Sequence, residues 1–195
     1  MIMQAEAKKI YTTEEYLELE VNSEIRNEYR DGDITPMAGG TPEHNEIASI
    51  LNAVLRVALK GKPYSIFVAD QRLWIPERNL YTYPDVMVIS RPLELQTGRT
   101  DTVMNPCFIA EVLSKSTQNY DRSEKFVAYR TIPTFREYLL IDQYRVYVEH
   151  YVQTNAHQWL FSEYDDPTVT LTLSTIDVQI QIADLYDNID FESAQ

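Results

Sequence analysis

Hydrophobic and polar positions along the chain alternate between two periods, and the switches between them mark out the elements. Ile47, Ile50, Leu51, Val54, Leu55 and Ala58 recur at helical spacing behind Thr41 and Pro42 and stop at Gly61. That pattern predicts a capped amphipathic helix with proline in its first turn and glycine at its end. A shorter helix is expected from Thr13 as N-cap, with Glu14 and Glu15 in the first turn and Tyr16, Leu17 and Leu19 apolar, packed on the outside of the molecule. A third helical run covers 119–130, where Tyr120, Phe126, Val127 and Tyr129 are apolar and Ile132-Pro133 ends it.

The strand signals lie between and after these helices. Residues 24–30 and 33–37 flank Asp31-Gly32, a two-residue turn of the hairpin type. Runs at 64–69, 71–75 and 85–89 follow the first long helix, and 93–101 reads as a polar loop. From Cys107 to Leu113 the chain is Cys-Phe-Ile-Ala-Glu-Val-Leu, almost continuously apolar, which suggests a strand buried on both faces. Residues 135–141 form another apolar run. Segments 145–152, 158–164 and 169–173 then alternate with a period of two, and Asn155 and Asp165-Asp166-Pro167 serve as their turns. A brief alternation after Ile176 leads to a helical turn at 183–186. No repeat or linker interrupts the series. The expectation is a single domain, 1–195, of α/β or α+β class, with a central mixed sheet flanked by helices and an antiparallel C-terminal meander.

Composition narrows the classes. At 195 residues, 44% hydrophobic and 24% charged, the chain can bury a sizeable core and is neither disordered nor fibrous. Cys107 is the only cysteine, which excludes a disulfide framework or thiolate cage and accords with a reducing compartment. The opening Met1-Ile-Met-Gln-Ala-Glu-Ala-Lys-Lys-Ile10 lacks the form of a signal peptide, and no apolar run approaches membrane-spanning length. A cytoplasmic protein with no membrane contact is expected. The net charge of -13 opposes polyanion binding unless the acids lie away from a locally positive cleft. A bound divalent ion would also offset part of it.

One stretch carries more chemistry than the rest. Asp85 follows Pro84 at the start of a strand, and Glu111 lies 26 positions later inside the next buried strand. Adjacent strands would bring the two carboxylates to one point. Such hard oxygen ligands suit Mg²⁺ or Mn²⁺, which polarises a phosphate and lowers the pKa of a bound water. Asp121 and Lys125 stand four apart on the following helix, and a lysine there can stabilise charge on an attacked phosphate.

These residues resemble a known family. Asp, Glu and Lys occur in the order used by PD-(D/E)xK nucleases. More closely, Glu28-Tyr29-Arg30-Asp31-Gly32-Asp33, Pro42-Glu43-His44-Asn45, Tyr83-Pro84-Asp85-Val86, Glu111-Val112-Leu113-Ser114, Asp121 to Phe126, Tyr129 and the run from Pro133 to Asp142 resemble the Uma family of restriction-endonuclease-like proteins. The resemblance extends to Ala183-Asp184-Leu185-Tyr186 and so covers nearly the whole chain. It implies a restriction-endonuclease-like fold and metal-dependent hydrolysis of nucleic acid, DNA in the first place. One departure is plain: Leu113 stands where the (D/E)xK lysine belongs. In the Uma-like arrangement the lysine lies on the next helix. Lys125 matches that place and is preferred over Lys115.

Each choice has a plainer counterpart. Asp85 could cap a turn, Glu111 could sit in a buried ion pair, and Lys125 could merely bridge Asp121 on a solvated helix. His44 either faces the cleft or is a surface or capping residue, and Glu28 is an additional acid that could approach the metal. Aromatic residues are expected in core or dimer packing rather than base stacking. Cutting two strands favours a two-fold homodimer, with the meander as its surface. The alternative functions are a catalytically inactive nuclease-fold binding or assembly module and the hydrolysis of another phosphate ester.

Overall fold

The computed structural model describes residues 9–37 and 39–191. The expectation about a signal peptide falls mainly on residues 1–8, outside the described ones. Helix α1 (Thr13–Val21) is capped by Thr12, one residue earlier than expected, through a reciprocal capping box with Glu15. Its inner face also differs from the expected one: Tyr16 and Glu20 are buried, whereas Leu19 is half exposed. Tyr16 displaces the leucine because its ring meets Tyr29 and Tyr81 in a cluster of three aromatics.

Strands β1 (Asn27–Arg30) and β2 (Asp33–Pro36) close over Asp31-Gly32 as expected, with Arg30 opposite Asp33. Both turn residues have positive φ, 47° and 94°, as a two-residue hairpin turn of this hand requires. A Cβ on Gly32 would lie 2.4 Å from Ile10 Cγ2, so this position needs glycine for space as well as for conformation. Helix α2 (Pro42–Ala58) begins at Thr41, whose hydroxyl accepts the His44 N–H at 3.2 Å, and buries Ile47, Ala48, Leu51 and Leu55.

The remaining strands are β3 (Tyr64–Val68), β4 (Arg72–Ile75), β5 (Leu80–Thr82), β6 (Val86–Ser90), β7 (Thr102–Val103), β8 (Phe108–Leu113), β9 (Glu137–Asp142), β10 (Val148–Asn155), β11 (Gln158–Tyr164), β12 (Thr170–Leu173) and β13 (Val178–Gln181). They make two larger sheets and a hairpin. One sheet runs β2-β1-β5-β4-β7, and the central one runs β11-β10-β9-β8-β6-β3. The central sheet is mixed, as expected: β8 and β9 are parallel and its other pairs antiparallel. Sequence reasoning missed β5, three residues folded back by the left-handed Asn79. It also expected 169–173 to extend the meander. Instead β12 leaves the central sheet and pairs with β13, so that Leu171, Leu173, Val178 and Ile180 cover the α2 face of the core.

Two cores sandwich the central sheet, and strand alternation assigns its residues to them. Val86, Val88, Phe108, Ala110 and Val112 face α2. Met87, Ile89, Ile109 and Leu113 face the opposite layer, with Tyr129, Phe135 and Tyr138. Glu111 has the parity of Ile109 and Leu113, so its side chain enters the second layer. Most of the aromatics pack there or around Tyr16, in agreement with the expectation of core packing.

Candidate functional site: a buried carboxylate and lysine cluster

After β8 the chain passes through α3 (Gln118–Tyr120), a π-helical turn (Asp121–Lys125) and α4 (Phe126–Tyr129). The three follow one another directly and lie across the second layer. Tyr138 donates its hydroxyl to the Asp121 carbonyl at 3.2 Å, which occupies a backbone acceptor in the widened turn. Such turns recur at functional sites because they shift side chains relative to a regular helix. Here Asp121 and Lys125 both point inward and are buried.

The Lys125 ammonium lies 3.1 Å from Glu111 Oε1 and 3.1 Å from Asp121 Oδ1. Tyr129, four residues further along the same helical face, donates its hydroxyl to Glu111 Oε1 at 2.6 Å. The contact to Asp121 is an ion pair without hydrogen-bond geometry, which leaves Asp121 Oδ1 buried without a hydrogen-bond partner. Asp85 and Glu111 are joined through crossed backbone contacts. The Asp85 N–H donates to Glu111 Oε2 at 3.2 Å, and the Val112 N–H donates to Asp85 Oδ2 at 2.8 Å. Pairing of Val86 with Ala110 sets this register, and a slip of one residue would move Glu111 to the other layer.

His44 reaches the same carboxylate from the α2 side, with Nε2 3.1 Å from Asp85 Oδ2. Glu28 stands one side chain further out. It accepts the Tyr120 hydroxyl and the Thr82 hydroxyl, while the Lys125 ammonium lies 5.8 Å from the centre of the Tyr120 ring. Lys115 is not part of the group: it is exposed, with its ammonium 5.2 Å from the Tyr144 ring. Asp85, Glu111, Asp121, Lys125 and His44 are therefore brought together, Glu28 borders them, and Lys115 lies outside.

Sequence reasoning gave no role to Tyr129 or Tyr120. The available signal was spacing, since Tyr129 is one helical turn beyond Lys125 and must share its face. It also missed Glu20, a buried acid that binds Asn27 and the Tyr83 hydroxyl and helps fix the strand entering Asp85.

The electrostatics follow from three acids around one fixed cation. Burial raises the pKa of Glu111, and neighbouring Asp85 and Asp121 add to the rise; Lys125 and Tyr129 oppose it only partly, leaving it pushed up to about 8. Burial also acts on Asp85, but His44, Lys125 and the Val112 N–H outweigh it and hold the carboxyl below its ordinary range. Lys125 is the mirror case: desolvation favours loss of its proton, yet Glu111 and Asp121 hold it well above the ordinary lysine value. Burial lowers the pKa of His44, and Asp85 more than restores it.

Among the described residues, no group of three or more His, Cys, Asp or Glu side chains is arranged to hold a metal ion. The Asp85 and Glu111 pair nevertheless fits a hard divalent ion. Its donors are carboxylate oxygens, Asp85 and Asp121 crowd Glu111 so that its charged form is favoured only if a further cation joins them, and the Asp85 side chain keeps 19% exposure through which solvent can reach it. Among the described residues no helix is long and apolar enough to cross a membrane.

Residues 13–184 match the profile of the Uma2 family, described as "Putative restriction endonuclease". Two uncharacterized proteins of Synechocystis sp. (strain ATCC 27184 / PCC 6803 / Kazusa) are similar over most of their length. One is 44% identical over 155 residues, covering 80% of this chain and 88% of the relative. The other is 32% identical over 178 residues, covering 91% and 92%. A crystal structure from Anabaena variabilis ATCC 29413, titled as a putative nuclease belonging to DUF820, superposes with a TM-score of 0.73 at 19% identity, over 89% of this chain and 96% of that one. That degree of likeness demonstrates the shared fold.

Proposed function

The chain belongs to the Uma2 family, and from that premise we propose that Asp85, Glu111 and Lys125 are the catalytic centre of a metal-dependent endonuclease acting on nucleic-acid phosphodiester bonds. DNA is the first substrate to test. The observation that carries this reading is the convergence of a buried lysine with carboxylates from two paired strands, at 3.1 Å from Glu111. Strongly shifted ionisable groups collect where chemistry is done.

Asp85 and Glu111 would hold Mg²⁺ or Mn²⁺, which when bound supplies Lewis-acid charge and a more acidic water. Lys125 places a permanent positive charge beside the carboxylates, where it stabilises the charge that develops on an attacked phosphate. Asp121 holds the Lys125 ammonium in place, and Tyr129 fixes the Glu111 carboxylate through Oε1. His44 braces Asp85 from the α2 side. Cutting both strands would use a two-fold dimer of this chain.

The test is cleavage of plasmid, linear duplex and RNA with Mg²⁺ or Mn²⁺, comparing wild type with Asp85→Ala, Glu111→Ala and Lys125→Met. Metal-dependent cutting that disappears in all three supports the centre; cutting that persists in Asp85→Ala and Glu111→Ala rejects it. A second reading, a catalytically inactive binding module, draws on the fact that both Glu111 oxygens already accept hydrogen bonds and that Lys125 engages two carboxylates. Absence of cutting on every substrate, together with unimpaired folding, favours it.

A further inference from the structure

Far from the carboxylate cluster, the end of α2 and the edge strand β3 enclose a concavity of about 600 Å³. Its charged lining residues are Arg56, Lys60, Lys62 and Arg91, and no acid takes part in the lining. In a chain with 17 basic and 30 acidic residues, such a gathering is unusual. The other concavity described, about 300 Å³, mixes Arg30 and Arg78 with Asp31 and Glu124, and there Arg30 pairs with Glu124.

The four cations are exposed and none forms a salt bridge with an acid among the described residues. Two are nonetheless oriented by neutral partners. Arg56 donates to Asn52 Oδ1 at 3.0 Å and to the Ile66 carbonyl at 3.2 Å, and Arg91 donates to Ser65 Oγ at 3.0 Å. Lys60 and Lys62 lie on the connection between α2 and β3. Two guanidiniums held by neutral groups, with two ammoniums beside them, retain their full charge for an external anion. The location on an open sheet edge admits a long ligand, because β3 is the last strand of its sheet.

We infer that this concavity is a docking site for the phosphate backbone of a nucleic-acid strand, separate from the place where the backbone would be cut. The inference rests on the nuclease reading only for the choice of nucleic acid as the polyanion. It also accounts for how a chain of net charge -13 can approach one: the approach is local, through an acid-free patch. Asp85 immediately precedes β6 and Arg91 immediately follows it, so the two places lie at opposite ends of that strand. Six residues at about 3.4 Å each put them roughly 20 Å apart. That spans about six base pairs of duplex, enough for one bound stretch to touch both.

The test compares two charge-matched variants by fluorescence anisotropy on a labelled duplex and a labelled single strand, in EDTA so that nothing is cut. The first replaces Arg56, Lys60, Lys62 and Arg91 by Gln. The second replaces Arg78, Lys115, Arg130 and Arg136, which are also exposed and outside this concavity. The first should bind about 100-fold more weakly at low salt, and the slope of log affinity against log salt should shrink by about 3 to 4, while the second changes affinity by less than about threefold. Unfolding midpoints measured alongside confirm that both variants are folded.

Equal losses in the two variants overturn the inference, since only net charge would then matter, and so does a wild type that binds neither oligonucleotide. Binding to vesicles containing phosphatidylserine that depends on the four residues, with none to oligonucleotides, overturns it in favour of a lipid surface. If wild type binds through these residues but cuts nothing with metal, the catalytic reading fails and the docking site stands.

Discussion

Two buried glutamates on neighbouring parallel strands make an instructive contrast. Glu137 opens β9 and Glu111 lies within β8; both are almost completely removed from solvent. Glu137 is met by the Ser174 N–H at 3.0 Å, the Thr175 N–H at 2.9 Å and His150 Nε2 at 2.7 Å. Two of those partners are backbone dipoles fixed by the fold. Glu111 is met by two side-chain donors, the Lys125 ammonium and the Tyr129 hydroxyl, and one backbone N–H, and it shares its surroundings with Asp85 and Asp121. The first environment is complete in itself and ties β9 and β10 to the turn after β12. The second crowds three acids around one lysine, so that Glu111 is held toward its protonated form as long as no further cation joins them. A buried acid alone therefore does not mark a candidate site, whereas a buried acid crowded by other acids does.

The sharpest way to break this contrast is catalytic. Glu111→Gln should lower metal-dependent cleavage by about 100-fold or more, whereas Glu137→Gln in folded protein should leave it within about threefold, as measured by plasmid nicking rates. The reverse ordering is expected for stability. Glu137→Ala leaves His150 and two backbone N–H groups unpaired in the core and should cost about 3 kcal/mol in denaturant unfolding. Glu111→Gln should cost little in the metal-free protein.

A smaller effect concerns pH. Because the folded pKa of Glu111 is raised from 4.5 to about 8, the fold favours its protonated form. That contribution is fully present below about 4.5 and is lost as pH rises through about 8. Metal-free wild type should therefore lose stability across this window, and His44, whose pKa is also raised, acts in the same direction. Glu111→Gln should flatten the profile, and Mg²⁺ or Mn²⁺ should raise the unfolding midpoint of wild type at pH 8 but not that of Asp85→Ala. The smallest effect expected is a null one: Lys115→Ala should change cleavage by less than about twofold, since its side chain lies on Tyr144 away from the carboxylates.

Much of this architecture was legible in the chain. The α2 stripe, the Asp31-Gly32 hairpin and the apolar run around Glu111 each carry a strong local signal, and their elements appear where expected. Weaker signals failed for definable reasons. Leu19 is apolar yet exposed because Tyr16 and Glu20 find better partners on the inner face of α1. Segment 170–173 alternates like a meander strand, but alternation does not name the neighbouring strand, and β13 competes successfully for it. The basic concavity left no compact motif, since Arg91 lies 35 positions from Arg56 and only the pairing of β3 with β6 brings them together.

By itself the sequence singled out the candidate residues: one acid after Pro84, one acid inside a buried apolar run, and a lysine on the next helix. Local periodicity and residue type suffice for that, because they act over a few positions. Tertiary structure decided which of those groups meet. The antiparallel pairing of β6 with β8 brings Asp85 to Glu111, and the π-helical turn aims Lys125 rather than Lys115 at them. Whether a buried charge is relieved or left in excess depends on everything packed around it, and those neighbours come from strands and helices far apart in the chain.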